Sequence, residues 1–140
     1  CLSDWSSDVC SSDLFTPVLG GETTNPTVGY STQYGAYTRI GRMVNFSIRL
    51  TLSSISGGSG NAIITGLPFT VGLSNSPYAS AMEVSGVTFG AGYTSISFRP
   101  LSGQTFGRLN QFGSGVSSAA TSVSQISSSA DIIISGTYMV

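Results

Sequence analysis

From Met43 to Ser53 the chain reads MVNFSIRLTLS, in which Val44, Phe46, Ile48, Leu50 and Leu52 alternate with Asn45, Ser47, Arg49, Thr51 and Ser53. A period of two held this long predicts a half-buried strand with one apolar and one polar face. The preceding Tyr37-Thr38-Arg39-Ile40 is β-branched and aromatic, and Gly41-Arg42 separates the two runs. Glycine at the first central position suits a type II′ turn, so the two segments are expected to form a tight antiparallel hairpin.

Weaker elements follow. Ser56 to Gly60 breaks the chain as a hairpin connection, Ala62 to Thr65 resumes as a short strand, and Gly66-Leu67-Pro68-Phe69 turns, because Pro68 cannot donate to a ladder. Ala81 to Phe89 sets Met82 and Val84 against Glu83 and Ser85, with Gly86 a candidate bulge. Thr94 to Arg99 points Ile96 and Phe98 inward and Ser95, Ser97 and Arg99 outward, and Pro100 closes it. Gly103 to Gly115 reads as a weak strand plus a loop, and the Ser/Ala-rich Ser117 to Ala130 as either a short helix or a wandering strand. From Asp131 to Val140, Ile132, Ile134, Tyr138 and Val140 share one face, with Ile133, Thr137 and Met139 on the other. A strand apolar on both faces is expected at the centre of a sheet or at a subunit interface. Short strands punctuated by Gly, Pro and Ser, without an amphipathic helix, predict an all-β fold, an antiparallel β-sandwich or jelly roll. Oligomer packing is one way such a fold protects its sheet edges.

Composition changes the picture at the N-terminus. Residues 4 to 14, DWSSDVCSSDL, carry the sole Trp, one of two Cys and half of the acidic residues, and follow no strand or helix period. Read back through the genetic code, the segment resembles a common sequencing-library adapter. Cys1 to Leu14 is therefore set apart as an artefact expected to be disordered, and Phe15 to Val140 is expected to form one domain. Without the segment there is no Cys, so neither a disulfide nor a redox compartment can be argued. Five arginines then face three carboxylates, Glu22, Glu83 and Asp131, a net charge of +2. That is too weak for a phosphate-tracking surface, so no nucleic-acid partner is expected. No apolar run approaches the roughly 18 residues of a membrane span. Lys and His are absent and charge is sparse, which for an isolated monomer leaves a poorly charged surface and points to an oligomer.

Candidate chemistry is narrow. With neither His nor Cys there is no conventional triad, thiolate nucleophile or His/Cys metal cage, so no enzyme, metal or cofactor is expected. A carboxylate pair of the glycoside-hydrolase kind is the one catalytic alternative. Against it, Glu83 reads as a solvated outward side chain, Asp131 as a turn former before the closing strand, and Glu22 as an exposed loop residue. Binding is better supported. Tyr78, Tyr93, Phe106 and Phe112 lie in loop-like stretches beside Arg99, Arg108, Asn110 and Gln111. That mixture offers flat stacking surfaces with adaptable hydrogen bonds, as carbohydrate recognition needs. Tyr78, Tyr93, Arg99, Phe106, Arg108, Asn110 and Gln111 are the candidate receptor or glycan contacts. The competing reading makes the aromatics core plugs or subunit packing and the arginines solvated surface.

Phe15-Thr16-Pro17 with Gly20-Gly21, then Gly35-Ala36-Tyr37-Thr38-Arg39-Ile40-Gly41 with Val44, then Gly66-Leu67-Pro68-Phe69, and finally Ser135-Gly136-Thr137-Tyr138 occur in order. This series resembles a module at the C-terminal end of bacteriophage tail-fibre and other virion appendage proteins, and spans nearly all of residues 15 to 140. Phe15 stands where that family usually has Trp, and Arg42 where it usually has Asn. The resemblance implies a homotrimeric, β-rich, non-enzymatic tip in the virion tail, exposed to the outside and contacting a host cell-surface receptor, often a glycan. The alternatives are a glycan-depolymerising hydrolase working through a carboxylate pair, and a bacterial cell-surface lectin or adhesin module.

Overall fold

The computed structural model describes residues 10–73 and 78–140. Among the described residues ten strands, β1 (Cys10–Phe15), β2 (Val18–Gly21), β3 (Thr27–Ile40), β4 (Met43–Ser56), β5 (Ala62–Thr65), β6 (Ala81–Val87), β7 (Ser95–Pro100), β8 (Phe106–Gly113), β9 (Val116–Ala120) and β10 (Ile126–Met139), are joined by loops and one 3₁₀ turn at Val123–Gln125. They form two sheets. The first runs β1-β3-β4-β10-β6 and the second β2-β5-β8-β7, with β9 alongside β8. Every ladder among the described residues is antiparallel.

The predicted hairpin is the backbone of the first sheet. Ile40 pairs with Met43, and of the two turn residues Gly41 alone has a positive φ, 58°, as a type II′ turn requires. In β4 the alternation is realised residue by residue: Val44, Phe46, Ile48, Leu50 and Leu52 are buried. The opposed inner face comes from Leu19, Ile64, Ile96, Phe98 and Leu109 of the second sheet, and both sets belong to one apolar cluster. Phe46 of β4 meets Phe98 of β7 edge to face, with centroids 5.9 Å apart, so the two layers are in direct contact. The all-β antiparallel sandwich read from the sequence is the observed fold.

Three local readings change. Gly103 to Gly115 contains a full strand: β8 lies between β5 and β7, with Gly107, Leu109 and Gln111 turned inward. The Ser/Ala stretch divides into β9, the 3₁₀ turn and the first half of β10. Asp131 is no turn former; it lies within β10 opposite Thr51. The closing strand, apolar on both faces, is central, flanked by β4 and β6.

The N-terminal boundary also moves. The domain was expected to begin near Phe15, yet β1 pairs with the edge of β3 from Cys10, opposite Ile40, to Phe15, opposite Gly35. Ser12, Asp13 and Leu14 are exposed, so at these three positions the ladder with β3 holds the strand, and Phe15 is packed at its end. An open edge offers N–H and C=O groups to any extended segment, whatever its side chains. Residues 1–9, to which the expectation of disorder also applied, lie outside the described residues.

The four short motifs converge at one end of the sandwich. Phe15 packs on Tyr37 at 6.4 Å between centroids, Tyr37 meets Phe69 edge to face at 5.3 Å, and the Arg39 guanidinium lies 4.7 Å over the Phe69 ring. The Tyr138 hydroxyl donates to the Phe69 carbonyl at 3.1 Å and accepts the Phe69 N–H at 3.2 Å. Gly35 is required here, because a Cβ at that position would stand 2.9 Å from the Phe15 ring.

Candidate functional site

The outer face of the second sheet carries the candidate site. On β8, inward Gly107, Leu109 and Gln111 leave Phe106, Arg108, Asn110 and Phe112 outward. On β7, inward Ile96 and Phe98 leave Ser95, Ser97 and Arg99 outward. The register sets Ser95 against Phe112, Ser97 against Asn110, and Arg99 against Arg108. Over this surface opens a cleft of about 270 Å³ lined by Tyr78, Ser97, Arg99, Asn110, Phe112 and Ser118. Tyr78 reaches it from the segment leading to Ser80, whose N–H bonds the Phe98 carbonyl at 2.8 Å and so continues the sheet past β7.

Of the seven residues predicted from sequence, the cleft brings together Tyr78, Arg99 and Asn110. The other four sit elsewhere. The Tyr93 hydroxyl donates to the Ser117 carbonyl at 3.1 Å, bracing the approach to β7 against β9. Phe106 stands at the opposite end of β8, paired with Thr65. Gln111 is 5% exposed and points into the sandwich, where its Oε1 accepts the Gly90 N–H at 3.0 Å. As neighbours on one strand, Asn110 and Gln111 cannot share a face.

Arg108 is committed to an ion pair. Its Nε donates to Glu22 Oε1 at 2.9 Å and its Nη2 bonds the same oxygen, while Asn61 Nδ2 donates to Glu22 Oε2 at 2.7 Å. The Arg108 guanidinium holds the Glu22 carboxyl below the usual range, with help from Asn61. Glu22 is therefore a partner for Arg108 more than a free loop acid. Arg99, directly across from Arg108, is exposed and makes no hydrogen bond or ion pair among the described residues.

The other two carboxylates lie on the outer face of the first sheet. Asp131 accepts from Thr51 Oγ1 at 2.8 Å and Arg49 Nη2 at 3.2 Å, and these contacts, Thr51 foremost, hold its carboxyl below its ordinary range. Glu83 pairs with Ile133, two residues along β10 from Asp131. Diagonal neighbours of this kind stand about 7–8 Å apart. Among the described residues no group of three or more His, Cys, Asp or Glu could hold a metal ion, and no helix is long and apolar enough to cross a membrane.

Two antiparallel sheets around one core, with a cleft on an outer face, define a β-sandwich domain of the kind found in a phage tailspike. The solved structure in question is the crystal structure of the Dettilon tailspike protein (gp208), which matches 93% of this chain with a TM-score of 0.73 at 25% sequence identity. The chain spans 24% of that tailspike's length. No protein-family model and no curated protein matches the sequence.

Proposed function

We propose that this chain is a non-enzymatic, receptor-binding tip domain of a phage tail appendage, exposed on the virion, self-associating as a homotrimer and attaching to a glycan of the host cell surface. The fold match to a tailspike over nearly the whole chain carries the reading. The cleft agrees with it: two aromatic rings, an amide and hydroxyls suit the apolar faces and hydroxyl rims of sugars, and all but Tyr78 stand on strands. The homotrimer is supported by sparse charge and by the outer face of the first sheet. There small residues follow one another in register, Ala36, Ser47 and Ser135 in one row and Thr38, Asn45 and Thr137 in the next.

Fluorescently labelled chain applied to a panel of bacterial strains is expected to coat a subset of them and to lose that binding after mild periodate oxidation of surface glycans. Failure to coat any strain, or binding indifferent to periodate, would refute the glycan-receptor reading.

One observation favours a second reading, a glycan depolymerase. Glu83 and Asp131 are diagonal neighbours on one face of β6 and β10, and a pair of carboxylates is what glycoside hydrolysis uses. Against it, Asp131 is tied to Thr51 and Arg49.

A further inference from the structure

We propose that the cleft over β7, β8 and β9 selects an anionic saccharide, with Arg99 taking a carboxylate or phosphate substituent while Tyr78 and Phe112 flank the sugar ring. The inference rests on the glycan-receptor reading and adds the chemical class of the glycan. It starts from the charge pattern of two neighbouring strands. Arg99 and Arg108 face each other directly on the outer face, an arrangement of like charges that costs stability unless something answers it. Glu22 answers one of them: it takes two bonds from Arg108 and a third from Asn61. Among the described residues Arg99 is left with no counter-charge of its own, and none of the residues lining the cleft is acidic.

The surroundings of Arg99 suit a ligand better than bulk water. Ser97 and Asn110, paired across β7 and β8, supply a hydroxyl and an amide next to the guanidinium, and Ser118 adds a second hydroxyl from β9. Phe112 is 44% exposed at one side, an apolar ring kept in solvent. Tyr78 closes the other side while packing partly against the core, so its ring is held in place. A volume of about 270 Å³ lies just below the roughly 300–1,000 Å³ of pockets for drug-sized ligands, a size for one charged sugar unit within a chain that continues into solvent. A guanidinium is the side chain best matched to a planar carboxylate or a phosphate, since it offers two parallel N–H donors.

The test is a printed array of bacterial polysaccharides with uronic-acid repeats, phosphorylated repeats and neutral repeats, probed with the full chain and with Arg99→Gln. The wild-type chain is expected to bind acidic members, weakening as salt rises. Arg99→Gln should lower that affinity about tenfold or more with an unchanged melting temperature, because among the described residues Arg99 has no hydrogen-bond or ion-pair partner to lose. Phe112→Ala should weaken binding without changing its salt dependence. The uronic-acid and phosphorylated sets tell which anion is taken. Binding confined to neutral repeats, or acidic binding undiminished in Arg99→Gln, overturns this inference and leaves the glycan-receptor reading standing. Binding to no polysaccharide overturns both.

Discussion

Tyr138 shows how a single residue joins parts of the chain that are distant in sequence. It is fully buried, and its hydroxyl satisfies both the N–H and the C=O of Phe69, 69 residues away. Burial pushes its phenol up from 10.0 to about 12, because the phenolate would be stranded in the core. A phenol whose folded pKa is raised stabilises the fold fully below the unfolded value and loses that contribution as pH climbs from 10.0 towards about 12. Glu22 and Asp131 act in the opposite sense: their lowered carboxyl pKa values stabilise the fold above the ordinary values of 4.5 and 3.8 and cease to do so as pH falls through the folded ones. Melting temperature plotted against pH should therefore fall at both ends. Tyr138→Phe should melt lower at neutral pH, by about 1–3 kcal/mol for the two orphaned backbone groups, and show a shallower alkaline fall. A Tyr138→Phe variant as stable as the parent at neutral pH would show that Phe69 finds other partners.

At the scale of elements, legibility followed the side chains available to mark the inward face. β4 could be read in full because five large apolar residues occupy its inner positions. β8 could not, although its pattern is as regular, because two of its inner positions hold Gly107 and Gln111. Both are there for reasons of packing. A Cβ on Gly107 would run into the Phe98 ring, and Gln111 turns in to bond Gly90 and to approach Gln125 of the 3₁₀ turn at 3.4 Å. Reading that stretch as partly loop is also what placed Gln111 beside Asn110 in the binding set, since a loop has no alternation to separate neighbours. β10 begins before its apolar run, at Ile126, and the register shifts before Asp131 opposite the bulge region of Gly86, whose φ is +71°. Serines fill that half of the strand, so no period survived for the sequence to display. Arg99 and Asn110 were legible in the candidate site, whereas the contribution of Ser118 depends on β9 folding back on β8, which no local pattern encodes.

At the scale of the whole molecule, the four motifs of the appendage resemblance turn out to be one structural device. Phe15, Tyr37, Phe69 and Tyr138, one from each, meet at a single end of the sandwich and lie outside the proposed ligand cleft. Such motifs specify how the domain folds, and the proposed receptor contacts belong to residues outside them. The outer face of the first sheet, small-residued and ending in an apolar corner of Ile40, Met43 and Met139, is suited to pack on copies of itself. Sedimentation equilibrium is expected to give the mass of three chains, and Met43→Lys, placing a charge in that corner, should lower it towards one. A parent chain that sediments as a monomer would remove the homotrimer from the account.

The central claim is that this domain holds a surface glycan without cutting it. The most direct measurement incubates the chain with a polysaccharide that it binds and follows, in the same sample, saturation of binding and the size distribution of the polysaccharide by gel filtration. The account predicts saturable binding of one site per chain and an unchanged size distribution. Progressive shortening of the polysaccharide, abolished by Glu83→Gln, would contradict it and identify the Glu83–Asp131 pair as catalytic.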